Sequence, residues 1–225
     1  MRPLAYFTLI FAPVIAAGAY FYFSNRYDGA FRKLLVKAFL AGMLSVTVLL
    51  IAEYISTLLG LNELRSLKRT VFYSFITIAG SAELGKFLVF KYFILPEKVV
   101  DKPIHGITFS IMVALGFASA ALFFFMIDPF GTRDMYPTTL YAFVFVPANL
   151  LFSVVMGFFL GMAKFLKVHV VYSLIALTGA AFFHGVFNFC LFTNDFKLLS
   201  LLAFGSTTIV FILALKAVYT NPEPE

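Results

Sequence analysis

The chain has no tryptophan, a single cysteine and few charges, and each shortage removes a class of protein. One cysteine, Cys190, excludes an internal disulfide and any CxxC metal knuckle. Its apolar neighbours mark it as a small buried hydrophobe. Without tryptophan, the 11 tyrosines must do any aromatic anchoring at a membrane surface. Charged residues are 12% of the chain, about half the share usual in soluble domains. Apolar residues take their place: 62% of positions are hydrophobic, 31 of them phenylalanine, and mean hydropathy is +0.97. A water-facing fold of 225 residues cannot enclose that much apolar surface. The chain therefore reads as an all-α polytopic membrane protein, one transmembrane domain over residues 1–225, with no room for a separate soluble domain. The net charge of +6 would suggest nucleic acid in a soluble protein. Here it fits cytoplasmic loops and anionic headgroups, so the expected partner is lipid and not nucleic acid.

About seven apolar stretches reach the ~20 residues that a helix needs to cross a bilayer. They cover 4–23, 38–61, 70–95, 103–127, 138–163, 168–192 and 198–219. The first reads as a retained helix and not a cleaved signal, because it is long, holds Pro13 and precedes no small-residue cleavage site. Placing the N-terminus outside and the C-terminus in the cytoplasm puts ten Lys and Arg residues on the cytoplasmic side and six outside. The basic loop "NELRSLKR" opposes this orientation.

Ionisable residues inside a span are functional hypotheses by default. Glu83 and Lys86 lie three apart in "SAELGK", close enough on a helix to pair. The pair reads either as mutual neutralisation or as an acid held in place by its neighbour. Asn149 follows Pro147 by two residues and reads as a partner for a freed carbonyl or for a neighbouring helix. His184 and Asn188 are one turn apart and share a face. Glu53 lies near a span end, where reaching for the headgroups is the simplest account. Under the N-outside topology Glu83 and Asn149 fall near mid-membrane, His184 somewhat outward, and Glu53 in the outer half. Polar groups at overlapping depths on separate helices predict a polar cavity that opens outward. Gly80, Gly85, Gly157, Gly161, Gly179 and Gly185 would let these helices approach closely.

These residues resemble the PrsW family of intramembrane proteases, within the wider CAAX-protease and bacteriocin-processing superfamily. "AELGK" aligns with the family's E-E-x-x-K, "FVPAN" with F-x-x-x-H and "HGVFN" with H-x-x-x-N. "APVIAAGAYFYFSNRYD" is similar to the opening helix, and "DKPIHGITFSIMVALGFASAALF" to the stretch that ends G-F-A-x-x-E-N. The order and helix context match as well. Five positions depart: Ala82 replaces the first glutamate, His105 an aspartate, Asn149 the histidine, and Ala121 with Leu122 the Glu-Asn pair.

The resemblance implies peptide-bond hydrolysis in or beside a bacterial cytoplasmic membrane. It carries the catalytic roles to Glu83 and His184, with Lys86, Asn149 and Asn188 in support. A metal would fall to Glu83 and His184. Zinc takes three protein ligands at a catalytic site, so the cofactor expectation leans from zinc to none. With acid and histidine positions lost, the first expectation is impaired or absent peptidase activity. The outward cavity would then bind a single-span membrane protein or a membrane-complex subunit. The alternatives are an active peptidase using Glu83 and His184 on a single-span substrate, and a structural subunit of a membrane complex. Glu53 as a substitute for the missing acid is the weaker reading.

Overall fold

The computed structural model describes residues 3–23, 28–136 and 138–220, apart from the side chains of residues 3–10, 23, 138–140 and 142. Arg2 and Arg26 of the charge comparison lie outside these residues. Among the described residues, five helices are long and apolar enough to cross a membrane: α2 (Gly29–Leu58), α5 (Pro103–Ile127), α6 (Thr138–Phe165), α7 (His169–Thr193) and α8 (Phe196–Tyr219). The two other apolar stretches are helical too. The first is α1 (Pro3–Phe23). The other, residues 67–94, is one helical path in four pieces: α3 (Leu67–Phe72), a π-helical stretch (Tyr73–Gly80), α4 (Ser81–Val89) and a second π stretch (Phe90–Ile94). π turns are rare and concentrate at functional sites. Here they flank the turn that carries Glu83 and Lys86.

Local chemistry sets the helix ends. Asp28 caps α2 by accepting from Phe31 N at 2.7 Å, and Asp195 caps α8 by accepting from Leu198 N at 3.0 Å. Pro103 starts α5, where its missing N–H costs nothing. Asp128 and Asn194 end α5 and α7 in the left-handed conformation, at φ 52° and 55°. Both are short polar residues that tolerate it. At the other end of the bundle, Lys164 Nζ donates to Leu95 O at 2.6 Å and Glu97 O at 2.7 Å, tying α6 to the 95–102 connection.

Helix α5 is the axis of the molecule. It packs on α2 and on α6, and α6 in turn packs on α7. Two glycines make the α2–α5 approach possible: a Cβ on Gly116 would run into Phe39 O, and one on Gly42 into Val113 O. Gly106 meets Gly157 and Gly161 in the same way across α5 and α6. Small residues that let backbones close up are how helices associate in lipid, where burying apolar surface gains little. Of the glycines picked from sequence, Gly85, Gly157, Gly161 and Gly185 sit at such close approaches. Gly179 makes only an ordinary contact with Val155, and Gly80 meets only the carbonyl of Phe75 in its own helical path. Helix α8, with Leu201, Phe204, Phe211 and Ile212 exposed, presents an apolar face suited to lipid.

A pair of glycine substitutions checks this packing. Gly116→Ala should destabilise by about 1–3 kcal/mol, because it overpacks against backbone. Gly205→Ala in α8, where nothing lies within 4 Å of the added atom, should be neutral or slightly stabilising. Thermal unfolding in detergent micelles measures both.

Candidate active site

The bundle gathers the polar residues that the sequence scattered over three helices. Glu83 on α4, Asn149 on α6 and His184 on α7 are at most 1% exposed, and Lys86 is 2% exposed. One carboxylate oxygen organises them. Glu83 Oε1 accepts from Lys86 Nζ at 2.6 Å and lies 2.7 Å from His184 Nδ1. Lys86 Nζ also donates to Asn149 Oδ1 at 3.0 Å and sits 4.8 Å from the centroid of the Phe117 ring. The ammonium thus has a carboxylate, an amide oxygen and an aromatic face around it. These are the partners that offset the loss of water around a buried cation. Glu83 Oε2 is buried and has no hydrogen-bond partner among the described residues.

The geometry fixes the histidine. A ring nitrogen 2.7 Å from a carboxylate oxygen carries the proton and donates it, so the neutral imidazole has Nδ1–H and a bare Nε2. Phe152 stacks on the ring at 5.0 Å and 23° and holds its plane. His184 also lines a cleft of about 50 Å³ that reaches the 128–136 connection. Along this cleft lie Val46 and Glu53 of α2, Phe117 and Ala121 of α5, then Asp128, Thr132 and Tyr136, with Tyr141 and Phe145 of α6. A carboxylate therefore orients one side of an imidazole whose other side can face a small cleft.

The two asparagines do less than their positions suggested. Asn149 Nδ2 donates to Phe145 O at 3.0 Å, four residues back on its own helix, while its oxygen serves Lys86. The bond to Lys86 fits the neighbouring-helix reading of Asn149, whereas Phe145 O is not the Phe143 carbonyl that Pro147 leaves without its donor. Asn188 Nδ2 donates to His184 O at 3.1 Å. It braces the turn beneath the histidine and makes no hydrogen bond to Glu83. Each side-chain amide commits one of its two N–H donors to a carbonyl of its own helix. Ala82 is fully buried in the apolar core, and Ala121 lines the cleft with a methyl group. Glu53 is the larger departure from expectation: it lines the cleft that His184 lines. Sequence reasoning missed Phe117 and Phe152 as the aromatic partners of the charged pair, because among 31 phenylalanines these two carry no distinguishing pattern.

The residues do not fit a catalytic metal. Among the described residues, no three of His, Cys, Asp or Glu come close enough to share an ion, whereas catalytic zinc takes three protein ligands. Glu83 Oε1 already serves an ammonium and an imidazole, and the position where the family motif has histidine is an asparagine turned to Lys86.

The Glu83–Lys86 pair generates its own test. Lys86→Met leaves a carboxylate buried without its cation and should destabilise by about 3–5 kcal/mol. Glu83→Gln combined with Lys86→Met removes both charges and should recover much of that loss, as read by thermal unfolding in micelles.

Comparison with known proteins converges on one group. The family profile for PrsW family intramembrane metalloproteases matches residues 31–216. The chain is 28% identical over 185 residues to Protease PrsW of Geobacillus kaustophilus, covering 82% of this chain and 78% of that protein. It is 26% identical over 182 residues to Protease PrsW of Bacillus subtilis, covering 80% and 79%. Against Protease PrsW of Oceanobacillus iheyensis it is 27% identical over 208 residues, covering 91% and 90%. No solved structure matches.

Proposed function

The chain belongs to the PrsW family of intramembrane metalloproteases, and from that premise we propose that it is an intramembrane peptidase in which His184, oriented by Glu83, is the general base. It is an integral membrane protein, and its relatives are bacterial, which fits a bacterial cytoplasmic membrane. The observation that carries the proposal is the buried 2.7 Å contact between Glu83 Oε1 and His184 Nδ1 beside a cleft that His184 lines. A relic with no chemistry to perform gains little from keeping a buried carboxylate, ammonium and imidazole together, since such clusters rarely stabilise more than apolar packing would.

The reaction needs a proton acceptor, a nucleophile and a proton donor. Water in the cleft gives a proton to His184 Nε2 as its oxygen attacks the carbonyl carbon of the scissile peptide. The imidazolium that forms is held by Glu83, and Lys86 keeps that carboxylate ionised and in place. The same imidazolium then returns the proton to the leaving nitrogen as the C–N bond breaks, releasing a carboxylic acid and an amine. Asn149 acts on this chemistry only through Lys86. Because the donor set is short of a metal site, no step is assigned to an ion.

The topology that suits this chemistry has seven spans, with residues 67–94 and α1 joining the five clear ones. With the N-terminus outside, the mouth of the cleft at Asp128–Tyr136 faces the outer surface, where a single-span substrate would present its juxtamembrane segment. The second reading, a partner-binding relative with lost activity, draws on Ala82 and Asn149 standing where the family pattern has an acid and a histidine.

Purified protein in proteoliposomes should cleave a single-span substrate near its membrane boundary. His184→Ala should lower kcat by ~10²–10⁴-fold, the range for losing a general base, and Glu83→Gln should act in the same direction. Cleavage should persist in a strong chelator. Binding of a single-span partner without cleavage would instead favour the second reading.

A further inference from the structure

We propose that Glu53, Tyr136 and Tyr141 form a subsite for a Lys or Arg side chain of the substrate, between His184 and the mouth of the cleft. The proposal rests on the peptidase reading and extends it to specificity. Glu53 lies in a span and lines the cleft, and it has no ion pair or hydrogen bond among the described residues. The neighbouring acid is engaged: Asp128 Oδ1 accepts from Thr132 N at 2.8 Å and from Arg133 N at 3.1 Å. Arg133 at the mouth turns its guanidinium to Met126 O at 3.2 Å, and no Lys or Arg is among the residues that line the cleft. Glu53 is therefore the carboxyl group left available there.

The walls suit a cation. Tyr136 and Tyr141 are 6% and 7% exposed, their ring centroids are 4.4 Å apart, and both line the cleft. The Tyr141 hydroxyl has no hydrogen bond among the described residues and belongs to a side chain more than nine-tenths buried. Burial, with Tyr141, Tyr73 and Glu53 close by, holds the Tyr136 hydroxyl well above the ordinary phenol pKa, so it stays neutral beside the carboxylate. A carboxylate with aromatic faces around it is the arrangement that holds an ammonium or guanidinium. The cleft, at about 50 Å³, admits the head of a side chain and not a folded segment.

The test uses the full chain in proteoliposomes and single-span substrates carrying Lys, Leu or Glu at one position, scanned along the juxtamembrane segment. At one position Lys should be preferred over Glu by about tenfold or more, the worth of one charged hydrogen bond. Glu53→Gln should raise KM for the Lys substrate by a similar factor, with kcat within about threefold and the Leu substrate unaffected. Glu53→Lys should shift the preference to the Glu substrate. A wild-type protein indifferent to charge at every position overturns the subsite, as does a Glu53→Gln loss that is equal for all three substrates. If Glu53→Gln does not fold, the wild-type comparison alone decides. If the wild-type protein cleaves none of them, fluorescence anisotropy of the labelled peptides reads the same preference as binding. Lys preference without cleavage overturns the peptidase reading and keeps the subsite, and no preference overturns the subsite.

Discussion

One carboxylate oxygen holds the centre of this molecule together. Glu83 Oε1 serves both an ammonium 2.6 Å away and an imidazole 2.7 Å away, with all three side chains buried. A lone charge at that depth would be costly. The cost is met only if α4, α6 and α7 stay in register, since each contributes a partner. The same oxygen thus decides the packing of three helices and the orientation of the one histidine that lines the cleft. The glycine contacts along α5 have a supporting part: they bring α6 close to α5, so that Asn149 and Phe117 can surround Lys86.

This arrangement accounts for the departures from the family motifs better than simple decay does. Asn149 is a poor zinc ligand, but its oxygen is a good partner for Lys86. The Lys86 ammonium balances the carboxylate. Ala82 fills the apolar core where a second acid would need its own partner. Each departure is compatible with a site that relies on one acid and one histidine.

Much of this was legible in the sequence for physical reasons. Long apolar runs allow little but membrane helices, so the all-α class followed directly. Polar residues in such runs need partners, so Glu83, Asn149 and His184 were expected at overlapping depths; Glu83 meets His184 directly, and Lys86 links it to Asn149. What stayed hidden depends on rotation about the helix axes, which spacing does not reveal. Asn188 has the right spacing but turns its amide to its own helix. Glu53 has the position of a headgroup-seeking acid, yet faces the cleft. Gly42 and Gly116 look like any glycine in an apolar helix, and only the crossing of α2 and α5 gives them meaning. The π-helical stretch before Glu83 has no marker in "YSFITIAG" either.

The central claim is that Glu83 holds His184 with its proton on Nδ1, which leaves Nε2 bare to act as the base. The chain has three histidines, so ¹⁵N-histidine NMR of the protein in a bilayer, with His184→Gln to assign the signal, reads this directly. The account predicts a neutral ring protonated on Nδ1, unperturbed by chelator, and a change of tautomer population in Glu83→Gln. A His184 ring protonated on Nε2, or one whose Nε2 signal reports a bound metal, would contradict it.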